Sequence, residues 1–254
     1  MTASYHEEKE TPHRKRYFVY DALEGLLQKA RCVIFDMNGL IVDDEPLQLD
    51  AMNRVLESFG IRLNEEYWIK RCAGTKSEEF TKRILKENKI ACSENRVHDL
   101  VQKKNEQYRA LTAKNIKALT RPGVIELISH VHEDSYQTLA LATTASEIEM
   151  EAVLGDEGLN IRNFFRYAAS GSDAARSKPD PEIYSYISGL SHTEPAECLV
   201  FEDSGPGLLA ATRAGMPCIA VPNRFTAGQD LGGASFVISD LTSNAQILHP
   251  GSLV

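Results

Sequence analysis

The 254-residue sequence predicts an α/β protein, a doubly wound parallel sheet interrupted by an all-helical insert. Three observations carry this reading. Short apolar runs without polar alternation recur at Cys32–Met37, Thr138–Thr144, Phe165–Ser170, Cys198–Asp203, Cys218–Val221 and Phe236–Ser239, the pattern of strands buried on both faces. Helical periodicities fall between the later runs, so strand alternates with helix. About 100 residues separate the first run from the second, far more than a crossover needs, and all of them read as helix or turn.

Taken in order, the polar residues 1–16, MTASYHEEKETPHRKR, are expected to form a flexible tail. Tyr17–Ala30 predicts an amphipathic helix with Leu23, Leu26 and Leu27 on one face. The first strand, Cys32–Met37, carries the acid Asp36 at its end. Helices are expected at Leu47–Gly60, Glu65–Cys72, Ser77–Lys89 and Ser93–Lys114; Ser77 and Ser93 each precede acids, as at helix starts. Pro122-Gly123 marks the return to the sheet. Helices over Val124–His132, Glu147–Glu157, Pro181–Gly189 and Gly207–Ala214 then alternate with the remaining strands. The chain therefore divides into a tail (1–16), a core (17–46 and 120–254) and a helical insert (47–119).

Hydrophobic residues make up 43% and charged residues 25%, ordinary for a globular chain that buries a sizeable core. Lys and Arg total 28 against 36 Asp and Glu, a formal charge of −8, which argues against a nucleic-acid partner. No run approaches the roughly 18 apolar residues of a membrane span, and the N-terminus lacks the apolar segment of a secretory signal. Five cysteines lie scattered without CxxC spacing, as expected of reduced thiols in a cytoplasmic protein, with Cys32, Cys198 and Cys218 reading as core residues. The seven histidines do not cluster; His192 and His249 fall in expected loops and receive no role. A monomer with a small-molecule partner is the expectation.

Open parallel sheets bind ligands beyond the carboxyl ends of their strands. Those ends here carry Asp36, then Thr143 and Thr144, then Glu202 and Asp203, with Lys178 in the loop Ser177–Pro181 between the third strand and the fourth. Parallel strands bring three carboxylates, a hydroxyl and an ammonium into one cleft. Such carboxylates repel one another unless a cation sits among them, and hard oxygen donors suit Mg²⁺.

FDMNGLIVDDEP resembles the opening motif of the haloacid dehalogenase superfamily, usually D-x-D-G-x-[LIV]-x-D. LATTAS, SKPDPEIY and VFEDSGPGLLAATRAG resemble its second, third and fourth motifs, in the right order over roughly residues 31–240. The insert directly after the first motif resembles the type 1 cap of the β-phosphoglucomutase-like phosphatases. The resemblance implies a Rossmann-like α/β core with an α-helical cap and a Mg²⁺-dependent phosphomonoesterase acting on a small phosphorylated metabolite, a sugar or polyol phosphate. Asp36 would be the nucleophile, forming an aspartyl-phosphate. Asp36, Asp203 and the backbone carbonyl of Asn38 would hold the metal, with Glu202 a further ligand or an acid behind it. Lys178 would neutralise Asp36 and the phosphoryl oxygens, Thr143 with the Thr144 N–H would bind one of them, and Gly39 would turn the backbone so that amides face the phosphate.

One position departs. The family usually has Asp where this chain has Asn38, and that Asp gives a proton to the leaving oxygen and takes one from the attacking water. A carboxamide does neither, which implies turnover lowered by about 10²–10⁴-fold. The reading is of an otherwise active phosphatase carrying one Asp→Asn change; a silent phosphometabolite-binding protein, or relocated acid–base chemistry, are the alternatives, and a phosphomutase would share all four motifs. In the insert, Arg71–Lys76 (RCAGTK) resembles the substrate-specificity loop, with Gly74 allowing close approach and Arg71 and Lys76 either meeting the substrate or lying solvated. Asp43, Glu45 and Gln48 could meet substrate hydroxyls or set the hinge of the insert. Trp68 reads as insert core.

Overall fold

The computed structural model describes residues 16–248, so His249 and all of the expected tail but Arg16 lie outside them. β1 (Cys32–Phe35) lies inside a six-stranded sheet, flanked by β2 (Thr138–Ala142) and β4 (Cys198–Glu202). β3 (Tyr167–Ala169) lies beyond β2, and β5 (Cys218–Ala220) and β6 (Phe236–Val237) beyond β4. Every pairing is parallel. Every strand is shorter than the apolar run that announced it, and β3 and β6 form the edges of the sheet.

Alternate residues serve two cores, as the uninterrupted apolar runs require. Val33, Phe35, Leu199 and Phe201 face α1 (Asp21–Lys29), α6 (Val124–Glu133) and α7 (Glu147–Leu154). Cys32, Ile34, Cys198 and Val200 face α8 (Glu182–Ser191) and α9 (Gly205–Arg213), with Cys218 in the same cluster. All three cysteines are thus core residues. The rings of Phe35 and Phe201 stack at 5.0 Å across the central pair of strands. The first helix starts later than its periodicity suggests. The Glu24 carboxylate accepts from the N–H groups of Tyr17 and Phe18 at 2.8 and 2.6 Å and holds that segment outside the helix.

The insert between β1 and β2 is α2 (Glu45–Leu56), α3 (Glu65–Arg71), α4 (Ser77–Glu87) and α5 (Glu94–Leu119). It contains no strand. α2 begins at Glu45, ahead of the expected boundary at residue 47, and α5 continues past Lys114 because Thr112, Ile116 and Leu119 prolong its buried face. Ser93 caps α5 as expected, accepting from the Arg96 N–H at 3.3 Å. The two linkers run side by side. Val42 bridges Thr120 in antiparallel fashion, the Asp43 N–H donates to Leu119 O at 2.8 Å, and the Arg121 N–H donates to Ile41 O at 3.0 Å. No helix among the described residues is long and apolar enough to cross a membrane.

Polar contacts close the insert onto the core. Lys104 of α5 forms an ion pair with Glu149 of α7, both side chains buried, and Asn105 Nδ2 donates to Ser146 Oγ at 3.1 Å. Lys76 Nζ donates to Ala174 O at 2.6 Å, Ser177 Oγ to Glu79 Oε1 at 2.9 Å, and Arg224 pairs with Glu65 at 2.6 Å. Removing one member of a buried ion pair strands the other charge. Lys104→Met is therefore expected to cost about 3–5 kcal/mol in urea unfolding, and the double variant Lys104→Met/Glu149→Leu to recover most of it.

Candidate active site

Asp36 follows β1 directly, its N–H continuing the ladder to Phe201 O at 3.0 Å, and so stands at the carboxyl end of the strand beside β4. This is the point where the sheet order departs in both directions from β1, the usual place for a cleft. Lys178 reaches it from the loop between β3 and α8. Its Nζ donates to Asp36 Oδ1 at 2.5 Å, to Glu202 Oε1 at 2.6 Å and to Ala142 O at 3.1 Å. Burial by itself would lower the Lys178 pKa, but Asp36 and Glu202 together hold it above its ordinary value.

Glu202 accepts five donors: Lys178 and Tyr184 OH on Oε1, and on Oε2 the N–H groups of Asp203 and Ser204 with the Ser204 hydroxyl. Its lone pairs are committed to the protein, which suits an acid that orients Lys178 better than one that coordinates directly. Asp203 differs. It accepts from Asn223 Nδ2 at 2.8 Å and pairs with no ammonium or guanidinium among the described residues. Burial and the charges of Glu202 and Asp36 push its carboxyl well above the usual range, with Arg121 opposing. Oxygens of Asp36, Glu202 and Asp203 lie within 4.8 Å of one another. Three buried carboxylates facing one ammonium leave uncompensated negative charge, and the all-oxygen donor set fits a hard divalent cation.

Glycines set how closely these groups approach. Gly39 has φ +85°, and a Cβ there would stand 2.3 Å from Asp203 Oδ2. Its N–H donates to Val42 O at 2.7 Å within the tight turn that the positive φ allows. Its carbonyl accepts from Arg121 at 2.6 Å. Arg121 also donates to Val221 O and Pro222 O, tying the loop after β1 to the end of β5. Neither Arg121 nor Asn223 stood out in the sequence, since each acts through carbonyls or an amide far away in the chain.

Asn38 is held at both ends. Its Nδ2 donates to Asp44 Oδ2 at 2.7 Å, and its Oδ1 accepts from the Thr143 hydroxyl at 3.2 Å. Asp44 Oδ2 also accepts from Tyr108 OH at 2.6 Å and Gln48 Nε2 at 3.1 Å, while Asp44 Oδ1 is buried without a partner among the described residues. Burial raises the Asp44 carboxyl, with those three donors opposing. Gln48 thus meets Asp44, and the Thr143 proton points at Asn38. Asp43 Oδ1 is likewise buried and unpartnered among the described residues.

The cleft between sheet and insert is lined by Asp36, Asn38, Lys178, Glu202 and Asp203 on the core side and by Glu45, Trp68, Gly74, Thr75 and Ser77 on the insert side, with Thr144 at its edge. Gly74 has φ +74°, and nothing of the protein lies within 4 Å of a Cβ placed there. Trp68 belongs to the insert core as expected and also donates its indole N–H to Glu45 in the cleft. Arg71 pairs with Glu87 on the insert surface, and Lys76 is occupied with Ala174 O; neither lines the cleft.

The sequence matches the haloacid dehalogenase-like hydrolase family over residues 33–221. The chain belongs to that family. It is 31% identical over 222 residues to protein CbbY of Rhodobacter capsulatus, covering 85% of this chain and 95% of that one. It is 32% identical over 188 residues to the phosphorylated carbohydrates phosphatase of Thermotoga maritima, covering 72% and 81%. Among solved structures, an Asp→Asn mutant of Rhodobacter sphaeroides CbbY in complex with xylulose-(1,5)bisphosphate superimposes with a TM-score of 0.77 at 28% identity, covering 84% of this chain and 95% of that one. These neighbours share the Rossmann-like core and helical cap.

The packing around Glu202 gives a direct test. A Cβ on Gly207 would fall 1.8 Å from Glu202 Oε1, whereas one on Gly189 meets nothing within 4 Å. Gly207→Ala should destabilise the protein by about 1–3 kcal/mol. Gly189→Ala should be neutral or stabilising by up to about 1 kcal/mol in the same unfolding assay.

Proposed function

We propose that this protein is a Mg²⁺-dependent phosphomonoester hydrolase for a small phosphorylated carbohydrate. The observation that carries the reading is the convergence of Asp36, Lys178, Glu202 and Asp203 at the carboxyl ends of adjacent parallel strands. The phosphatase names among its relatives support it.

Asp36 Oδ2 attacks phosphorus while Lys178 holds Oδ1, and the alcohol leaves as an aspartyl-phosphate forms. Water then attacks that phosphorus and releases phosphate, so one difficult displacement becomes two easier ones. Lys178 offsets charge on the nucleophile and on the incoming oxygens. Thr144 offers its N–H to a phosphoryl oxygen, and the Thr143 hydroxyl joins it by turning from Asn38. Asp36, Asp203 and the Asn38 carbonyl would hold Mg²⁺, with Glu202 fixing Lys178 behind them. The ion, when bound, shields the negative phosphoryl group from the negative nucleophile. Gly74, Thr75 and Ser77 cover the leaving group, and the closed insert excludes bulk water.

Phosphate release from a panel of sugar phosphates in the presence of Mg²⁺ tests the reading. Asp36→Asn is expected to lose at least about 10³-fold in turnover, since it removes the nucleophile itself; retained turnover would exclude Asp36 from that role. Asp203→Ala should weaken Mg²⁺ binding, read by titration calorimetry, far more than Glu197→Ala. Glu197 lies before β4, at the opposite end of the same strand, against Arg31. Equal affinity in the two variants would remove Asp203 from the metal site.

A further inference from the structure

The phosphatase reading leaves one chemical gap. The ester oxygen must gain a proton as it leaves, the attacking water must lose one, and the Asn38 carboxamide does neither. Its two ends are moreover bound to Asp44 and Thr143. We propose that Glu45 is the proton-transfer residue of this site, a role that rests on the phosphatase reading above.

Elimination among the acids of the cleft points to it. Asp36 and Glu202 are held by Lys178, Glu149 by Lys104, and Asp203 lies in the metal cluster. Asp44 is fully buried and does not line the cleft. Glu45 lines it from the first turn of α2. Among the described residues its side chain has one hydrogen-bond partner, the Trp68 indole N–H on Oε2, which leaves Oε1 to a ligand. No ammonium or guanidinium of the described residues binds it.

The surroundings also suit the task. Burial and the neighbouring Asp44 push the Glu45 carboxyl up to about 7, against the pull of Trp68 and Lys104. The titratable groups around it are Asp43 and Asp44 on its own turn, Lys104 on α5, Cys72 at the end of α3 and Asp203 across the cleft. A group poised near neutrality can both give and take a proton. As Asp36 bonds to phosphorus, the P–O bond to the substrate breaks, and its electron pair goes to the ester oxygen, which takes the Glu45 proton. The Glu45 carboxylate then takes a proton from water as that water's oxygen attacks phosphorus. The bond to Asp36 breaks, phosphate leaves, and both carboxyl groups return to their starting state.

Benzyl phosphate and 4-nitrophenyl phosphate differ chiefly in how badly the leaving oxygen needs a proton. In single-turnover formation of the aspartyl-phosphate with Mg²⁺, Glu45→Gln should slow benzyl phosphate by about 10²–10⁴-fold and 4-nitrophenyl phosphate by less than about tenfold. The unaltered chain should lose rate on benzyl phosphate above about pH 7, where Glu45 loses its proton, and Glu45→Gln should lack that decline. Glu45→Asp, which keeps the carboxyl, should retain the decline with its midpoint displaced. Equal losses on the two esters, or an unchanged alkaline decline in Glu45→Gln, would overturn the proposal. So would an unaltered chain that is silent on both esters while Asn38→Asp hydrolyses them, an outcome that leaves the phosphatase reading intact. Silence of both the unaltered chain and Asn38→Asp toward every phosphate ester would overturn the two together.

Discussion

A single ammonium organises the catalytic end of this molecule. Lys178 bonds to groups at the ends of β1, β2 and β4 at once, and its charge is what allows Asp36 and Glu202 to share a water-poor space. Much of the surrounding design follows from that demand. Tyr184 and the turn after β4 supply the remaining donors to Glu202, and Gly207 leaves the room that its carboxylate occupies. Asp203, outside the reach of Lys178, is the charge left over, and it faces Gly39 where a side chain would otherwise stand. Interactions of this kind cost free energy when half satisfied, which explains why so many small residues and backbone amides gather around two carboxylates.

The sheet and the acids at its strand ends were legible because one simple pattern marks both: an apolar run too continuous for a half-exposed strand, stopping at a charged residue. Asp36, Lys178, Glu202 and Asp203 could be placed together by topology alone. The insert was legible as helix from its periodicity, but not its attachments. Lys104 lies on the same face of α5 as Leu100, Val101 and Tyr108, all buried, and a cation in an apolar stripe signals a buried partner without naming it. That partner, Glu149, belongs to a helix of the core. The same limit hid Arg121 and Asn223, and it hid the contact of the Lys76 ammonium with the Ala174 carbonyl of the core.

Asn38 has surroundings that a one-position comparison with the motif does not display. Judged against the motif, it reads as a lost acid. In place, its amide is the complement of what surrounds it, donating to Asp44 and accepting from Thr143. A carboxylate there would face the Asp44 carboxylate, and one of the two would have to keep a proton. Of the acids near position 38, Asp44 lies buried beneath it and Glu45 lines the cleft beside it.

The two linkers of the insert carry a mechanical consequence. A segment joined to a body by one flexible chain can swing, twist and tilt. Here the outgoing and returning strands are bonded to each other through Val42 and Thr120, Asp43 and Leu119, and Ile41 and Arg121, so they act as a narrow ribbon. A ribbon bends across its flat face far more easily than it twists or shears. The paired linkers thus fix the direction in which the insert meets the core, with α2 and the Gly74 loop facing Asp36 across the cleft. The Arg121 guanidinium, carried by the returning linker and bonded to Gly39, Val221 and Pro222, ties that ribbon to the loop after β1 and to the end of β5.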